Sequence, residues 1–320
     1  MRILALVPGG IGDQVLFFPT LSSLKQAYPD AEIDVVVEPR AKGAYRVCPS
    51  VNAVIPFDFK SRNSPADWAN LLGVVRERYY DAALSLGSRW SVGLLLWLTG
   101  TPVRVGYGSS IGSWFLTNPV PLKSEQYAAC MYHDLLQGLD ITVPCPLPSV
   151  NVPKSDIDWA DSERNRLGVG DRGYVLIHGG SSQLAKDKGI DKLYPVDAWA
   201  TIAQDFQKRQ PDLPLVVVEG PEDRAFVSRL KSTADVKVTQ PGDIGKLAAM
   251  IAGANLMLCT DSAPMHLAVA LKVYTLALFG PTDPARLLPQ EDKFIGIKSD
   301  SDRMADISPE KVLSQVWGDA

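Results

Sequence analysis

At 320 residues the chain is long enough for two domains of ordinary size, each with its own core. Apolar residues at 46% and charged residues at 21% are typical of a globular chain, and a net charge of −4 offers no bulk attraction to nucleic acid or anionic lipid. Residues 1–150 carry 12 basic and 12 acidic side chains and the remainder 20 and 24, so any bound anion has to be held by local geometry.

In chain order, Ile3 to Val7 reads as a strand, broken by Pro8, Gly9, Gly10 and Gly12 into a tight loop before a helix from about Gln14 to Tyr28. Strand, glycine loop and helix usually make an anion site, because the helix N-terminus offers free N–H groups and partial positive charge. Asp13 at the mouth of that helix is therefore out of place for a phosphate. "EIDVVVEP" is a second strand, "DWANLLGVVRERY" a helix and "DAALSLGS" a further strand. The longest apolar stretch, "SVGLLLWLTGTPV" from Ser91, has 13 residues, short of the ~20 that span a bilayer. Trp90, Trp97, Trp114 and Phe115 in this region offer a membrane-facing or lipid-acceptor surface, but burial in helix packing is the favoured reading. His133 lies on the helical segment "EQYAACMYHDLLQGL" and reads as structural.

"VPCPLPSVNVP", residues 143–153, carries four prolines and predicts a hinge between about residues 145 and 170. The alternation then resumes. "YVLIHGGSS" is strand then glycine loop, "VDAWATIAQDFQKR" a helix, "LPLVVVEGPED" strand then loop, and "GDIGKLAAMIAGA" a helix. "NLMLCTDSAP", "MHLAVALK" and "VYTLALFGPTDP" read as strand and turn, helix, and strand and loop. Short doubly apolar strands between helices predict parallel sheets covered on both faces. The fold class is α/β, with an N-terminal domain over residues 1–155 and a C-terminal domain over 156–320. In such sheets ligands bind beyond the carboxyl ends of the strands, which makes a cleft between the domains the default site. Cys48, Cys130, Cys145 and Cys259 are dispersed without a CxxC pair, and with three histidines no metal site is expected. Scattered cysteines and an N-terminus without a convincing signal peptide predict a cytoplasmic protein, peripheral at most to the inner face of the plasma membrane.

The densest chemistry lies in "CTDSAPMHLAVALKVYTLALFGPTDPARLLP", residues 259–289. Asp261 and Ser262 are good N-cap residues and Pro264 suits a first turn. The helix would present its N-terminal amides to a diphosphate, with the Thr282 hydroxyl on a second turn beside it.

This segment resembles the C-terminal signature of glycosyltransferase family 9, the heptosyltransferase family, and "GIGDQVLFFP" resembles its N-terminal signature. The resemblance implies a GT-B architecture: two facing Rossmann-like domains, the first binding acceptor and the second binding nucleotide-sugar, with "SPEKVLSQVWG" as a last helix crossing back to the first domain. It further implies a metal-independent, inverting transferase without cofactor, using an ADP-sugar and a lipopolysaccharide or other glycan acceptor. Asp13 would be the general base, with Gly10 and Gly12 forming the acceptor loop. Thr260, Asp261, Ser262, Ala263, Met265, His266, Gly280 and Thr282 would line the donor. Ala263 stands where the family more often has glycine. The second glycine loop, with Ser181 and Ser182, leads to Lys192, assigned to the leaving diphosphate with Lys186 and Lys188 as competitors. Glu222, after its strand, is assigned to the ribose hydroxyls, with Glu219 and Asp223 as neighbours.

A nicotinamide-dependent oxidoreductase is the leading rival, since "GIGDQV" begins like G-x-G-x-x-G and Glu38 closes the second strand. Val15 replaces the third glycine, however, and Asp13 beside a pyrophosphate would cost roughly 4 kcal/mol per charge pair at ~4 Å. A non-catalytic nucleotide-sugar-binding protein and an epimerase of related fold are further alternatives. Asp13 as a simple helix cap is the competing role for that residue.

Overall fold

The computed structural model describes residues 1–59, 63–87, 89–108, 111–180 and 192–318. The chain forms two compact units, Met1–Asn151 and Val152–Ala320. In unit 1, strands β1 (Arg2–Val7), β2 (Glu32–Val37), β3 (Ala53–Pro56), β4 (Ala82–Ser85), β5 (Val103–Tyr107) and β6 (Asn118–Val120) form a sheet in the order β3-β2-β1-β4-β5-β6. All pairings are parallel, β1 lying in register with β2 from Arg2↔Glu32 to Val7↔Val37. Strands buried on both faces have no solvent face for polar side chains, which explains their unbroken apolar runs. The order reverses between β1 and β4, so the loop after β1 emerges at the switch point where such sheets bind ligands.

Helices Pro65–Arg76 and Trp90–Leu98 cover one face through Leu71, Val75, Leu95 and Leu96, which pack on Leu4, Leu6 and Val36. Helix Ile11–Ala27 packs with helix Ala128–His133, where His133 Nε2 and Ser23 Oγ share a hydrogen bond of 2.9 Å. The tryptophans correct the sequence expectation of burial: Trp90 is 58% exposed, Trp97 53% and Trp114 88%. A nine-residue helix that is apolar all round cannot bury every side, and the residues facing away from the sheet stay in solvent.

Unit 2 repeats the plan. Strands β7 (Val175–His178), β8 (Leu215–Val218), β9 (Lys237–Thr239), β10 (Leu256–Thr260), β11 (Thr275–Phe279) and β12 (Phe294–Lys298) form a parallel sheet in the order β12-β11-β10-β7-β8-β9. Its switch point falls between β7 and β10. Trp199 and Phe206, on helix Val196–Arg209, are buried against the sheet, with Tyr194 edge-on to Trp199 at 5.3 Å.

One expectation about the connections changes. Within the stretch read as a hinge, residues 154–167 form helix Lys154–Leu167, which ends at Gly168 in the left-handed region (φ 65°) and packs on helix Ile244–Ala252. Only the proline-rich run preceding it lacks regular structure. The last helix, Pro309–Trp317, makes contacts within its own unit: the Trp317 indole N–H donates to Asp205 at 2.8 Å and its ring lies 4.8 Å from Phe206. Cys130 and Cys145 are free thiols, and the Cys145 thiol donates to the Pro146 carbonyl at 3.5 Å. Among the described residues no helix is long and apolar enough to cross a membrane.

Candidate active site

The loop after β1 is built around Asp13. Gly10 caps helix Ile11–Ala27, and Asp13, three residues on, reaches back so that its Oδ2 accepts the Gly10 N–H at 2.7 Å. Its Oδ1 accepts the Tyr132 hydroxyl at 3.2 Å. The buried Gln14 side-chain amide donates to the carbonyls of Val7 at 3.0 Å and Gly10 at 3.3 Å, and its Oε1 accepts the Tyr45 hydroxyl at 2.7 Å. The loop is thus tied at both ends. Gly9 has φ 154°, and a Cβ there would lie 2.3 Å from Asp13 Oδ2, so only glycine leaves room for the carboxylate. Asp13 does occupy a capping position, but a carboxylate has about four acceptor sites and two donors leave capacity facing outward.

In unit 2 the loops after β7, β10 and β11 converge. Asp261, buried just beyond β10, accepts Lys192 Nζ at 2.6 Å and the Thr282 hydroxyl at 2.7 Å on the same Oδ2. Burying a carboxylate without such partners would be costly, and a cation plus a hydroxyl donor offset that cost. Beside it begins helix Ala263–Ala270, with Ser262 as N-cap and Pro264 in the first turn. The Ser262 hydroxyl makes no capping bond. It donates to the Thr260 carbonyl at 3.0 Å and shares a bond with His178 Nδ1 at 3.3 Å, so no side-chain cap occupies the first-turn amides. Ala263 is not among the residues of positive φ, so an alanine fits where the family favours glycine. Met265 and His266 are buried on this helix, and the Gly280 carbonyl accepts Lys298 Nζ.

A second buried acid, Asp223, lies after β8. It accepts the Gly220 N–H at 3.1 Å and stands 3.7 Å from His178 Nε2. Burial holds the His178 pKa below its ordinary 6.5 against the opposing pull of Asp223, and His133 is likewise held low by burial.

The structure therefore brings together Lys192, Asp261 and Thr282, and places Thr260 and Ser262 alongside. Thr260 donates its hydroxyl to the Gly180 carbonyl at 3.2 Å, tying the β7 and β10 loops. Glu222 is exposed after β8, whereas its neighbour Asp223 is buried beside His178 and Glu219 accepts from Gln240 at 2.7 Å. Ser181, Ser182, Lys186 and Lys188 lie outside the described residues. Tyr132, His178 and Asp223 have no signal of comparable strength in the sequence. Tyr132 meets Asp13 across 119 residues, and only the glycines at 180 and 220 hint at the close packing around Asp223.

Two doubly wound parallel sheets with polar clusters at their switch points define the α/β fold of GT-B glycosyltransferases. Residues 68–316 match the family model for glycosyltransferase family 9 (heptosyltransferase). The chain belongs to that family and is a glycosyltransferase. It is similar to Escherichia coli lipopolysaccharide heptosyltransferase 3, with 26% identity over 85% of this chain and 81% of the relative. A second relative, the Arabidopsis thaliana photosynthetic NDH subunit of subcomplex B 1, is 24% identical over 96% of this chain and 71% of its own length. Among solved structures, the E. coli heptosyltransferase WaaC with ADP-2-deoxy-2-fluoro heptose superposes with a TM-score of 0.78 at 20% identity, covering 100% of both chains.

Gly9→Ala is expected to displace the Asp13 carboxylate and lower stability by about 1–3 kcal/mol, the usual cost of forcing atoms into a packed site. Chemical denaturation checks this, and wild-type stability would contradict the described loop. The two histidines set a pH dependence. With folded pKa values below 6.5, the unfolded chain binds more protons just under that pH, so their contribution is full above 6.5 and is lost as pH falls toward the folded values. Replacing both His133 and His178 by Gln should flatten the fall in unfolding free energy below pH 6.5, measured by urea titration across that range.

Proposed function

We propose that this protein transfers a heptose-like sugar from an ADP-sugar to a lipopolysaccharide-core or related glycan acceptor, with inversion and without a metal ion. The observation that carries the donor half is the Lys192–Asp261–Thr282 cluster at the uncapped start of helix Ala263–Ala270. Unit 2 takes the nucleotide-sugar. The first-turn amides and Lys192 stabilise charge growing on the diphosphate, while Thr260, Ser262, Ala263, Met265, His266, Gly280 and Thr282 shape the surrounding turn. Glu222 is assigned to the ribose hydroxyls. The ADP-sugar choice draws on the E. coli structure, and the lipopolysaccharide acceptor on the named heptosyltransferase relative.

Unit 1 supplies the base. An acceptor hydroxyl gives its proton to Asp13 as its oxygen bonds to the anomeric carbon, and the bond from that carbon to the diphosphate oxygen breaks on the opposite side. The electron pair leaves with ADP, and the sugar inverts. The Gly10 N–H and Tyr132 hydroxyl hold the carboxylate in one orientation, so little reorganisation accompanies proton transfer. The Arabidopsis relative is named as a subunit of a complex, and a second reading, a non-catalytic nucleotide-sugar-binding protein, is tested alongside.

Asp13→Asn is expected to lower turnover by about 10²–10⁴ while donor affinity stays within a few-fold, because the amide can still accept a hydrogen bond but is not an effective base. The measurements are ADP release with a heptose-bearing core acceptor and ADP-sugar binding by calorimetry. Wild-type turnover in this variant would remove Asp13 as base, and binding without turnover in the unmodified protein would favour the second reading. Turnover should survive exhaustive EDTA treatment, whereas loss restored by Mg²⁺ would overturn the metal-free mechanism.

A further inference from the structure

The transfer reaction gives His178 no task, yet both edges of its ring meet polar groups from neighbouring loops. The residue ends β7, and its side chain is 12% exposed. Its Nδ1 shares the 3.3 Å hydrogen bond with Ser262 Oγ beyond β10, and its Nε2 stands 3.7 Å from Asp223 Oδ2 beyond β8. The Ser262 hydroxyl has a single hydrogen, which it gives to the Thr260 carbonyl at 3.0 Å. In the contact with Nδ1 the ring therefore donates and the serine oxygen accepts. A neutral ring with its proton on Nδ1 then faces the Asp223 carboxylate with a lone pair. The other tautomer sends an N–H toward Asp223, but its Nδ1 must take the Ser262 hydrogen away from Thr260. A neutral ring serves one neighbour at the expense of the other. Only the doubly protonated ring serves both.

The surroundings give the ring little room to escape this conflict. Asp223 accepts the Gly220 N–H at 3.1 Å on the oxygen that faces His178, and a Cβ at Gly180 would lie 1.9 Å from its other oxygen. The carboxylate is thus fixed where it is. On β10, Cys259 lies in register with His178, and burial keeps its thiol protonated. Asp261, next to Ser262, already holds Lys192 Nζ at 2.6 Å and the Thr282 hydroxyl at 2.7 Å. Among the described residues, Asp223 is the carboxylate that pulls the ring toward its charged form. Burial opposes that pull and prevails, holding the ring below the ordinary 6.5.

A diphosphate at the start of helix Ala263–Ala270 would change the balance. Ser262 is the N-cap of that helix, so its hydroxyl can turn from the Thr260 carbonyl to a phosphate oxygen while the His178 Nδ1–H keeps hold of the serine oxygen. The added negative charge favours the charged ring, whose Nε2–H then points at Asp223. We propose that His178 is a positioning residue for the donor, holding Ser262 through its Nδ1–H and taking up a proton from solvent as the diphosphate binds. This role deepens the reading that unit 2 takes the nucleotide-sugar, and rests on it. The sign follows from linkage. The ring holds its proton more tightly in the complex than in the free protein, so donor affinity is greatest below the free-state pKa. It falls as pH rises through the value in the complex.

The test is calorimetry of ADP-heptose binding to the full chain without acceptor, in buffers of different ionisation enthalpy between about pH 5.5 and 7.5. Both phosphates of an ADP-sugar are diesters, so the ligand lacks the monoester proton that leaves near pH ~6 and exchanges none itself. Wild type should take up part of a proton on binding, and bind about fivefold more tightly at the acid end. His178→Asn keeps an N–H near the position of Nδ1 but cannot titrate. At the alkaline end it should bind within about threefold of wild type, with no proton uptake and a flat pH profile. His178→Ala loses the N–H as well and should bind about three- to tenfold more weakly throughout. Asp223→Asn should reduce the uptake. Thermal midpoints establish that the variants remain folded. Binding by wild type without proton uptake, or uptake unchanged in folded His178→Asn, would overturn the proposal while leaving the donor site standing. Absence of ADP-heptose binding at every pH would overturn the donor reading, and the role of His178 with it.

Discussion

A parallel strand covered on both faces has nowhere along its length to put a charge. That constraint governs both units. The central strands β1, β4, β7 and β10 are almost wholly apolar and buried, so the polar residues of the fold are pushed to the strand ends and the loops beyond them. At the two places where strand order reverses, neighbouring loops diverge to opposite faces and leave room between them. Asp13, His178, Asp261 and Ser262 all lie at or just beyond such ends. Each unit's polar cluster is a by-product of solving the burial problem, refined by which side chains occupy the few positions left.

Within unit 2, two buried acids are treated differently. Asp261 faces a lysine and a hydroxyl donor, so its charge is compensated locally while its oxygen anchors groups from loops far apart in sequence. Asp223 has a backbone amide and, at longer range, a histidine that burial keeps toward its neutral form. The first arrangement gathers positive charge at a helix start, and the second leaves a compact polar knot that locks the β7 and β8 loops. Together they make the turn before helix Ala263–Ala270 rigid on both flanks without spending the helix amides on capping.

Much of this was legible because period and punctuation speak locally. The strand–glycine–helix unit at residue 6 onward, the proline and serine opening of the helix near 263, and the FGPTDP turn are each written within a dozen residues. The grouping of Lys192, Asp261 and Thr282 followed from their placement at strand ends and from the family resemblance. Contacts across long sequence separation were hidden. Nothing near Tyr132 points to Asp13. The exposure of the tryptophans is hidden for a related reason: a helix apolar on every side carries no periodicity to say which side faces out. Helix Lys154–Leu167 was missed because its apolar residues are few and the prolines before it dominate the pattern.

The glycine at 180 has a consequence for how sequences of this fold can change. A Cβ there would lie 1.9 Å from Asp223 Oδ1, and Asp223 cannot swing aside freely because the Gly220 amide holds its other oxygen in a buried pocket. The two positions are therefore linked in order as well as in space. A lineage can acquire a side chain at 180 only after the carboxylate at 223 has been shortened or lost, whereas the reverse order passes through a strained intermediate. Positions 180 and 223 should behave as one inherited character with a preferred direction of change.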